Sequence, residues 1–199
     1  LFLEARKHFN GSQYTEALSD CITSLFYWEN YRPSLDLMKL CYEKTGRQKE
    51  ALQIQTRTEP WMHPPVFTNI CFENGLCLRG LKLTKNSFKS GDAIEITYYF
   101  EAASDHDLDF FLFVHFKNCD GATLFQNDHR ISGDTALIKG ELIQDHQTIH
   151  IPETEKYSGP VDLCLGLWQP EKNKRLKMKT ALPHKNKEAV LEKILIINE

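Results

Sequence analysis

At Glu59-Pro60-Trp61-Met62-His63-Pro64-Pro65 the hydrophobic period of the chain changes from that of a helix to that of a strand. Three prolines in six residues remove backbone donors and stiffen the connection, so the spacing predicts that helix ends here and a different architecture begins. We therefore expect an α+β chain in two parts, with a helical segment over 1–60, a Pro-rich linker over 61–66 and an antiparallel β-sandwich over 67–199. Trp61 and Met62 are expected to pack between the two parts.

The first part repeats. Glu16-Ala17-Leu18 returns as Glu50-Ala51-Leu52 at an offset of 34 residues, each copy preceded by a turn, Gly11-Ser12-Gln13-Tyr14 and Thr45-Gly46-Arg47-Gln48. Leu35, Leu37, Met38, Leu40, Cys41 and Tyr42 give a helical apolar face, Pro33 suits a helix start and Gly46 a left-handed stop. On Tyr14, Ala17, Gly46 and Ala51 this segment resembles the tetratricopeptide repeat, whose period is 34. The resemblance spans about 60 residues, under two repeats. It implies a peptide-binding groove or, for so short an array, a helical spacer or terminal cap.

From Val66 apolar residues alternate, and strands are expected at 67–72, 76–84, 93–101, 109–118, 123–128, 141–151, 161–169, 176–180 and 190–197. Glu73-Asn74-Gly75, Ser90-Gly91-Asp92, Asn118-Cys119-Asp120-Gly121, Ser132-Gly133-Asp134, Ser158-Gly159-Pro160 and Glu171-Lys172-Asn173 supply the turns. Many short strands with no intervening helix indicate a two-sheet sandwich, immunoglobulin-like or jelly-roll. Asp120-Gly121 is the strongest hairpin signal.

Over most of 72–197 the motifs run Phe72-x-x-Gly75-x-x-Leu78-x-Gly80, Ser90-Gly91-Asp92, Phe113-Val114-His115-Phe116, Asp120-Gly121 and Gln126-x-Asp128. They continue through Ile151-Pro152, Gly159-Pro160-Val161, Leu165-Gly166-Leu167-Trp168-x-Pro170 and Lys174-Arg175-Leu176. In this order they resemble the β-sandwich appended to bacterial membrane glycosyltransferases of the protein-mannosyltransferase-like class. They are similar, more loosely, to the carbohydrate-binding domains of O-antigen exporter ATPases. The resemblance implies a non-catalytic accessory module of an envelope-associated protein, and it transfers no catalytic residue. The chain opens at Leu1 with neither an initiator Met nor a signal pattern, which fits a piece of something longer.

Charge and motif content narrow the chemistry. With 24 basic and 27 acidic residues, net −3, the chain lacks the basic excess that nucleic-acid binding needs. No apolar run reaches the length of a membrane span. There is no Gly-x-Ser-x-Gly elbow, phosphate loop or His-Glu-x-x-His, and no cofactor is implied. His115, Asp128 and His129 are candidate metal ligands, but neighbouring strand residues face opposite ways, which favours a structural His115–Asp128 hydrogen bond instead. Asp105-His106-Asp107-x-Asp109 is a loose calcium-like run without the EF-hand Gly and terminal Glu, and reads as a solvated loop. Cys21, Cys41 and Cys164 read as small buried hydrophobes; the even total of six cysteines leaves an oxidising compartment open.

Two features point to binding. Residues 172–187 carry seven basic side chains and no acid, suited to an anionic glycan, a lipid headgroup or an acidic partner, or simply a hairpin with a charged solvent face. Sugar binding needs an exposed aromatic platform with polar neighbours, for which Trp168 with Gln169, and Tyr98 or Tyr99, are the candidates. The expected site is thus Trp168, Gln169, Tyr98, Lys174, Arg175 and Lys177. The expected role is a non-catalytic, glycan-binding or glycan-presenting module. Two further readings are a protein adaptor using the helical repeat and basic hairpin, and a His- or metal-dependent hydrolase.

Overall fold

The computed structural model describes residues 1–107, 110–131, 136–154 and 156–197. The expected turn at Ser132-Gly133-Asp134 and the start of the 109–118 strand at Asp109 lie outside them.

Four helices come first: α1 (Phe2–Asn10), α2 (Tyr14–Tyr27), α3 (Arg32–Lys44) and α4 (Gln48–Met62). The connections are three or four residues long, so successive helices pack as antiparallel neighbours. Ala17 and Ala51, the repeated alanines, are buried where the helices approach, with Ala5, Cys21 and Cys41. Gly46 (φ +74°) ends α3 as the sequence suggests. One expectation is corrected here: α4 does not stop before the prolines but continues through Pro60 to Met62. A proline's missing donor and ring cost most in a long helix interior; here only two helical residues follow it.

The strands are β1 (Val66–Phe72), β2 (Leu76–Leu83), β3 (Ser87–Phe88), β4 (Ala93–Ala102), β5 (His106–Asp107), β6 (Phe111–Lys117), β7 (Thr123–Gln126) and β8 (His129–Arg130). There follow β9 (Ala136–Leu137), β10 (Leu142–His150), β11 (Gly159–Gln169), β12 (Lys174–Arg175), β13 (Met178–Lys179), β14 (His184–Lys185) and β15 (Glu188–Ile196). They make a two-sheet β-sandwich. The smaller sheet runs β10-β4-β2-β1-β13; the larger runs β14-β15-β11-β6-β7, with β12 on β11, β8 on β6 and β3 parallel to β15. Strand alternation fills the space between them with Leu78, Ile94, Ile96 and Phe100 from one sheet and Leu112, Val114, Leu163 and Leu165 from the other.

The 172–187 segment is not a hairpin. β12 belongs to the larger sheet, whereas β13 pairs β1 of the smaller one, Cys71 opposite Lys179. Buried Leu176 sits at the crossing. Its basic residues therefore bridge the sheets rather than coat one solvent face. Cys71 and Cys77, direct partners across β1 and β2 with Cα atoms 4.1 Å apart, form a disulfide. A spacing of six across a tight turn brings such partners together, but the sequence alone left their pairing open.

Helices and sandwich are stitched together through the outer face of the smaller sheet. Trp61 lies edge-on against Tyr99 (centroids 5.4 Å apart), and its Nε1 donates to the Ile143 carbonyl at 3.0 Å. Met62, expected to share this role, is exposed. Arg32 donates to both Glu101 carboxylate oxygens at 3.0–3.1 Å, and Arg79 donates to one of them at 2.8 Å. Backbone bonds Arg32 N–H to Gly140 O (2.8 Å) and Leu142 N–H to Asn30 O (2.9 Å) complete the seam.

Trp61 is buried, with both its ring and its donor engaged, so Trp61→Ala should cost about 3–5 kcal/mol in urea unfolding. A loss under about 1 kcal/mol would mean the seam does not support the fold. Alkylation in denaturant without reductant should label four cysteines, sparing Cys71 and Cys77. Labelling of all six would refute the pairing.

Candidate functional site

In a sandwich with one solvated face, the outward residues of a strand should be polar. β6 breaks this rule. Leu112, Val114 and Phe116 turn to the core, and the alternate residues Phe111, Phe113, His115 and Lys117 lie on the outer face. β11 does the same, with Leu163, Leu165 and Leu167 inside and Cys164, Gly166 and Trp168 outside. Register places Trp168 opposite Phe111, Gly166 opposite Phe113 and Cys164 opposite His115. The result is an aromatic patch on the outside of the larger sheet.

Gly166 makes this possible, because a Cβ there would collide with the Phe113 ring and the Lys187 carbonyl. Phe113 therefore lies across the strand, and the Arg175 guanidinium stacks over it, 4.3 Å from the centroid. Phe111 and Trp168 pack at 5.9 Å with a 60° tilt, and Arg130 lies 5.1 Å from the Phe111 centroid. Together Phe111, Phe113, Trp168, His115, Asp128, Asn173 and Arg175 line an open cleft of about 550 Å³. Asn173, in the left-handed region (φ +44°), closes the turn from β11 to β12 by donating its N–H to the Pro170 carbonyl.

One end of the cleft rests on a buried charge. Glu188 on β15 takes His115 Nδ1 at 2.8 Å on one oxygen and Lys117 Nζ at 2.6 Å on the other, with Arg175 Nη1 3.9 Å away. Burial opposes the carboxylate, yet the hydrogen bonds from His115 and Lys117 and the charge of Lys117 outweigh it, holding Glu188 down at about 2. An ionised carboxylate only accepts, so His115 carries its proton on Nδ1. Cys164, opposite His115, does not make a nucleophile: burial, with the Glu188 charge, pushes its thiol up to about 11. It is the small buried residue that the sequence suggested.

The sequence-derived candidates scatter. Trp168 and Arg175 meet in the cleft. Gln169 is half-buried, next to Trp168, and pairs in register with Lys174. Lys174 is drawn to Glu73 at 2.7 Å, and Lys177 is exposed with its carbonyl on the Glu73 N–H. Tyr98 is corrected outright. It is fully buried in the core beside Phe100 and His129, so it offers a ligand no surface; its outward neighbour Tyr99 is covered by Trp61.

The metal reading of His115, Asp128 and His129 is also corrected, as is the alternative His115–Asp128 pair. His115 goes to Glu188, His129 Nε2 to buried Asp145 at 2.8 Å, and Asp128 accepts from the Val114 N–H (3.3 Å) and Gln126 Nε2 (3.4 Å). Among the described residues no group of three His, Cys, Asp or Glu is arranged around a common point. Of the calcium-like run, Asp109 lies outside the described residues, and Asp105 accepts the Lys139 N–H at 2.7 Å. No helix among the described residues is long and apolar enough to cross a membrane.

Sequence reasoning missed Phe111, Phe113, Gly166 and Asn173. The signal was available in Phe110-Phe111-Leu112-Phe113-Val114, an unbroken apolar run inside an otherwise alternating sheet. A larger cleft, about 730 Å³, opens at the helix–sandwich seam beside Phe2, Trp28, Tyr31 and Arg32. Its polar groups serve the seam: Arg32 spans Glu101 and Asp36 (3.4 Å), and Asp105 holds the Lys139 backbone.

No known family model matches the chain, and no curated protein does. Among solved structures, the C-terminal domain of Wzt is similar at 11% identity and a TM-score of 0.46, covering 71% of this chain and 86% of that one. The CARDB domain of a Pyrococcus furiosus protein, in complex with di-metal ions, is similar at 8% identity and a TM-score of 0.36, covering 66% and 90%. A Niemann-Pick type C2 protein from Japanese carpenter ant shows 10% identity and a TM-score of 0.39, covering 65% and 93%.

Glu188 carries a pH prediction. A carboxylate depressed in the fold contributes its stability fully above its ordinary pKa near 4.5 and loses it as pH falls through about 2. Urea unfolding should therefore show wild type more stable than Glu188→Gln at pH 7, with the gap shrinking by roughly 2–3 kcal/mol between pH 5 and pH 2. A gap that does not change with pH would show that the charge of Glu188 is not what the network uses.

Proposed function

We propose that this chain is a non-catalytic module that binds a glycan in the cleft on the outer face of its larger sheet. The observation that carries the reading is the cleft's composition: half-buried Phe111 and Trp168 form its aromatic floor, Phe113 is buried beneath Arg175, and Asp128, Asn173 and Arg175 stand at its edges. Pyranose rings present C–H faces that stack on aromatic side chains, and a rim of hydroxyls that needs both acceptors and donors. Asp128 supplies acceptors, Asn173 both, and Arg175 donors. The looser resemblance of the motif order to the carbohydrate-binding domains of O-antigen exporters supports the same assignment. The Cys71–Cys77 disulfide supports an oxidising location, in keeping with an envelope-associated parent.

A specific observation favours a second role for the helices. Ile22 and Phe26, one turn apart on α2, are 55% and 84% exposed, and Tyr27 is 62% exposed. An apolar stripe of this kind suits a protein contact, through the tetratricopeptide-like segment, without competing for the cleft.

A glycan array probed with the purified chain should give reproducible binders that Trp168→Ala loses by at least about tenfold in affinity, since truncating a central aromatic anchor removes more than 1 kcal/mol. Ile22→Ser/Phe26→Ser should bind the same glycans unchanged. Silence across neutral and anionic glycans, or full binding by Trp168→Ala, would end the glycan reading and leave the α2 surface as the functional face.

A further inference from the structure

The cleft is polarised, and this bears on which sugar it takes. At one edge stands the Asp128 carboxylate, with one oxygen on the Val114 N–H and the other on the Gln126 amide. At the other stands the Arg175 guanidinium. Its position is fixed three ways: β12 pairs it opposite Trp168, its carbonyl accepts from Lys187 Nζ at 2.9 Å, and its planar group rests on Phe113 at 4.3 Å. Stacking leaves the edge of a guanidinium, where its N–H donors lie, available to a planar acceptor.

The charge around Arg175 is uneven. Its nearest carboxylate is Glu188, but that contact is 3.9 Å, beyond hydrogen-bond distance. Glu188 is already engaged by Lys117 at 2.6 Å and His115 at 2.8 Å. One carboxylate thus faces the full charges of Lys117 and Arg175 together with a histidine ring, and positive charge predominates at this end. Asp128 repels an anion from the other end. We infer that the cleft selects an acidic pyranose, a sugar carrying a carboxylate, which Arg175 receives through paired N–H donors while Asp128 and Asn173 take ring hydroxyls. The inference rests on the glycan-binding reading above and adds the class of sugar and its orientation.

The preference is measured by titration calorimetry of the whole chain, using uronic-acid oligosaccharides, neutral oligosaccharides of equal length and a sugar phosphate as probes. Uronate oligomers should bind about tenfold or more tighter than neutral ones, because a charge-assisted fork adds more than a neutral hydrogen bond. That advantage should decline as salt rises from 50 to 500 mM. Arg175→Gln should erase it, bringing uronate and neutral oligomers to the same affinity, with neutral-sugar binding itself weakened by the lost donors. Arg175→Lys, which keeps the charge and loses the fork, should retain only part of it and controls for disruption of the Phe113 stack. Trp168→Ala should weaken both classes.

Equal affinity for neutral and uronate oligomers, or an undiminished uronate preference in Arg175→Gln, would overturn the inference while leaving the glycan reading intact. A sugar phosphate bound more tightly than the uronate would overturn the assignment to a carboxylate. Binding to none of the three would overturn the inference together with the reading beneath it.

Discussion

The arrangement of the molecule depends on Glu101. It lies on the outer face of β4 and is shared by Arg32, from the first turn of α3, and Arg79, from β2. Arg79 reaches it because the register of β2 against β4 slips between Leu78 and Gly80, a bulge that turns the extra residue outward. Gly80 itself lies under Pro64 and the Val66 carbonyl, where a side chain would not fit. One irregularity therefore serves two ends, letting the connection from α4 pass close over the sheet and placing a second cation on the carboxylate. Two guanidiniums on one half-buried carboxylate leave it no freedom to turn. Trp61 then covers Tyr99 beside it. Helices cover the outer face of the smaller sheet around Tyr99 and Glu101, and the larger sheet keeps its outer face open.

That asymmetry explains where a ligand can bind. A sandwich has two outer faces, and here one is occupied in part by the molecule's own helices. On the other, β6 and β11 carry aromatic residues where charged ones would be ordinary, with Phe113 buried and Phe111 and Trp168 half-buried. The chain supplies a partial cover from its own Arg175 and Arg130, each against a phenylalanine ring. Arginines over aromatics shield apolar surface while presenting donors outward, an arrangement compatible with the glycan site proposed above.

What the sequence disclosed follows from how local each signal is. The helical repeat, the period change and the Asp120-Gly121 hairpin depend on residues close in the chain, and α1–α4, β1, β2, β4, β6, β7, β10, β11 and β15 appear where their patterns lie. Two-residue pairings such as β8 and β12 have too little pattern to register. The fate of residues 172–187 was not readable, because seven like charges indicate solvent exposure but not which sheet each residue joins. Tyr98 and Tyr99 show the same limit: alternation said that one of the two is buried, but only α4, arriving from elsewhere in the chain, covers the other. Trp168 could be read from the sequence as a platform or equally as a core residue, and it lies half-buried at the edge of the cleft. Its partners Phe111 and Phe113 were not picked out, because apolar residues on both faces of a strand normally mean burial on both and give no sign of a surface.

The crossing at residues 174–179 links these observations. β12 holds Arg175 against the larger sheet, Leu176 drops into the core, and β13 joins the smaller sheet two residues later. Lys174 is tied meanwhile to Glu73, beside the turn between β1 and β2. Arg175 is thus carried on a strap anchored at both ends in the two sheets, and its backbone cannot shift without disturbing the core at Leu176. A binding group held this way loses little conformational freedom when a ligand arrives, so more of each contact appears as affinity. On the proposed reading the same strap sets a limit: a glycan too wide for the space between Arg175 and Asp128 would not be admitted by moving the wall.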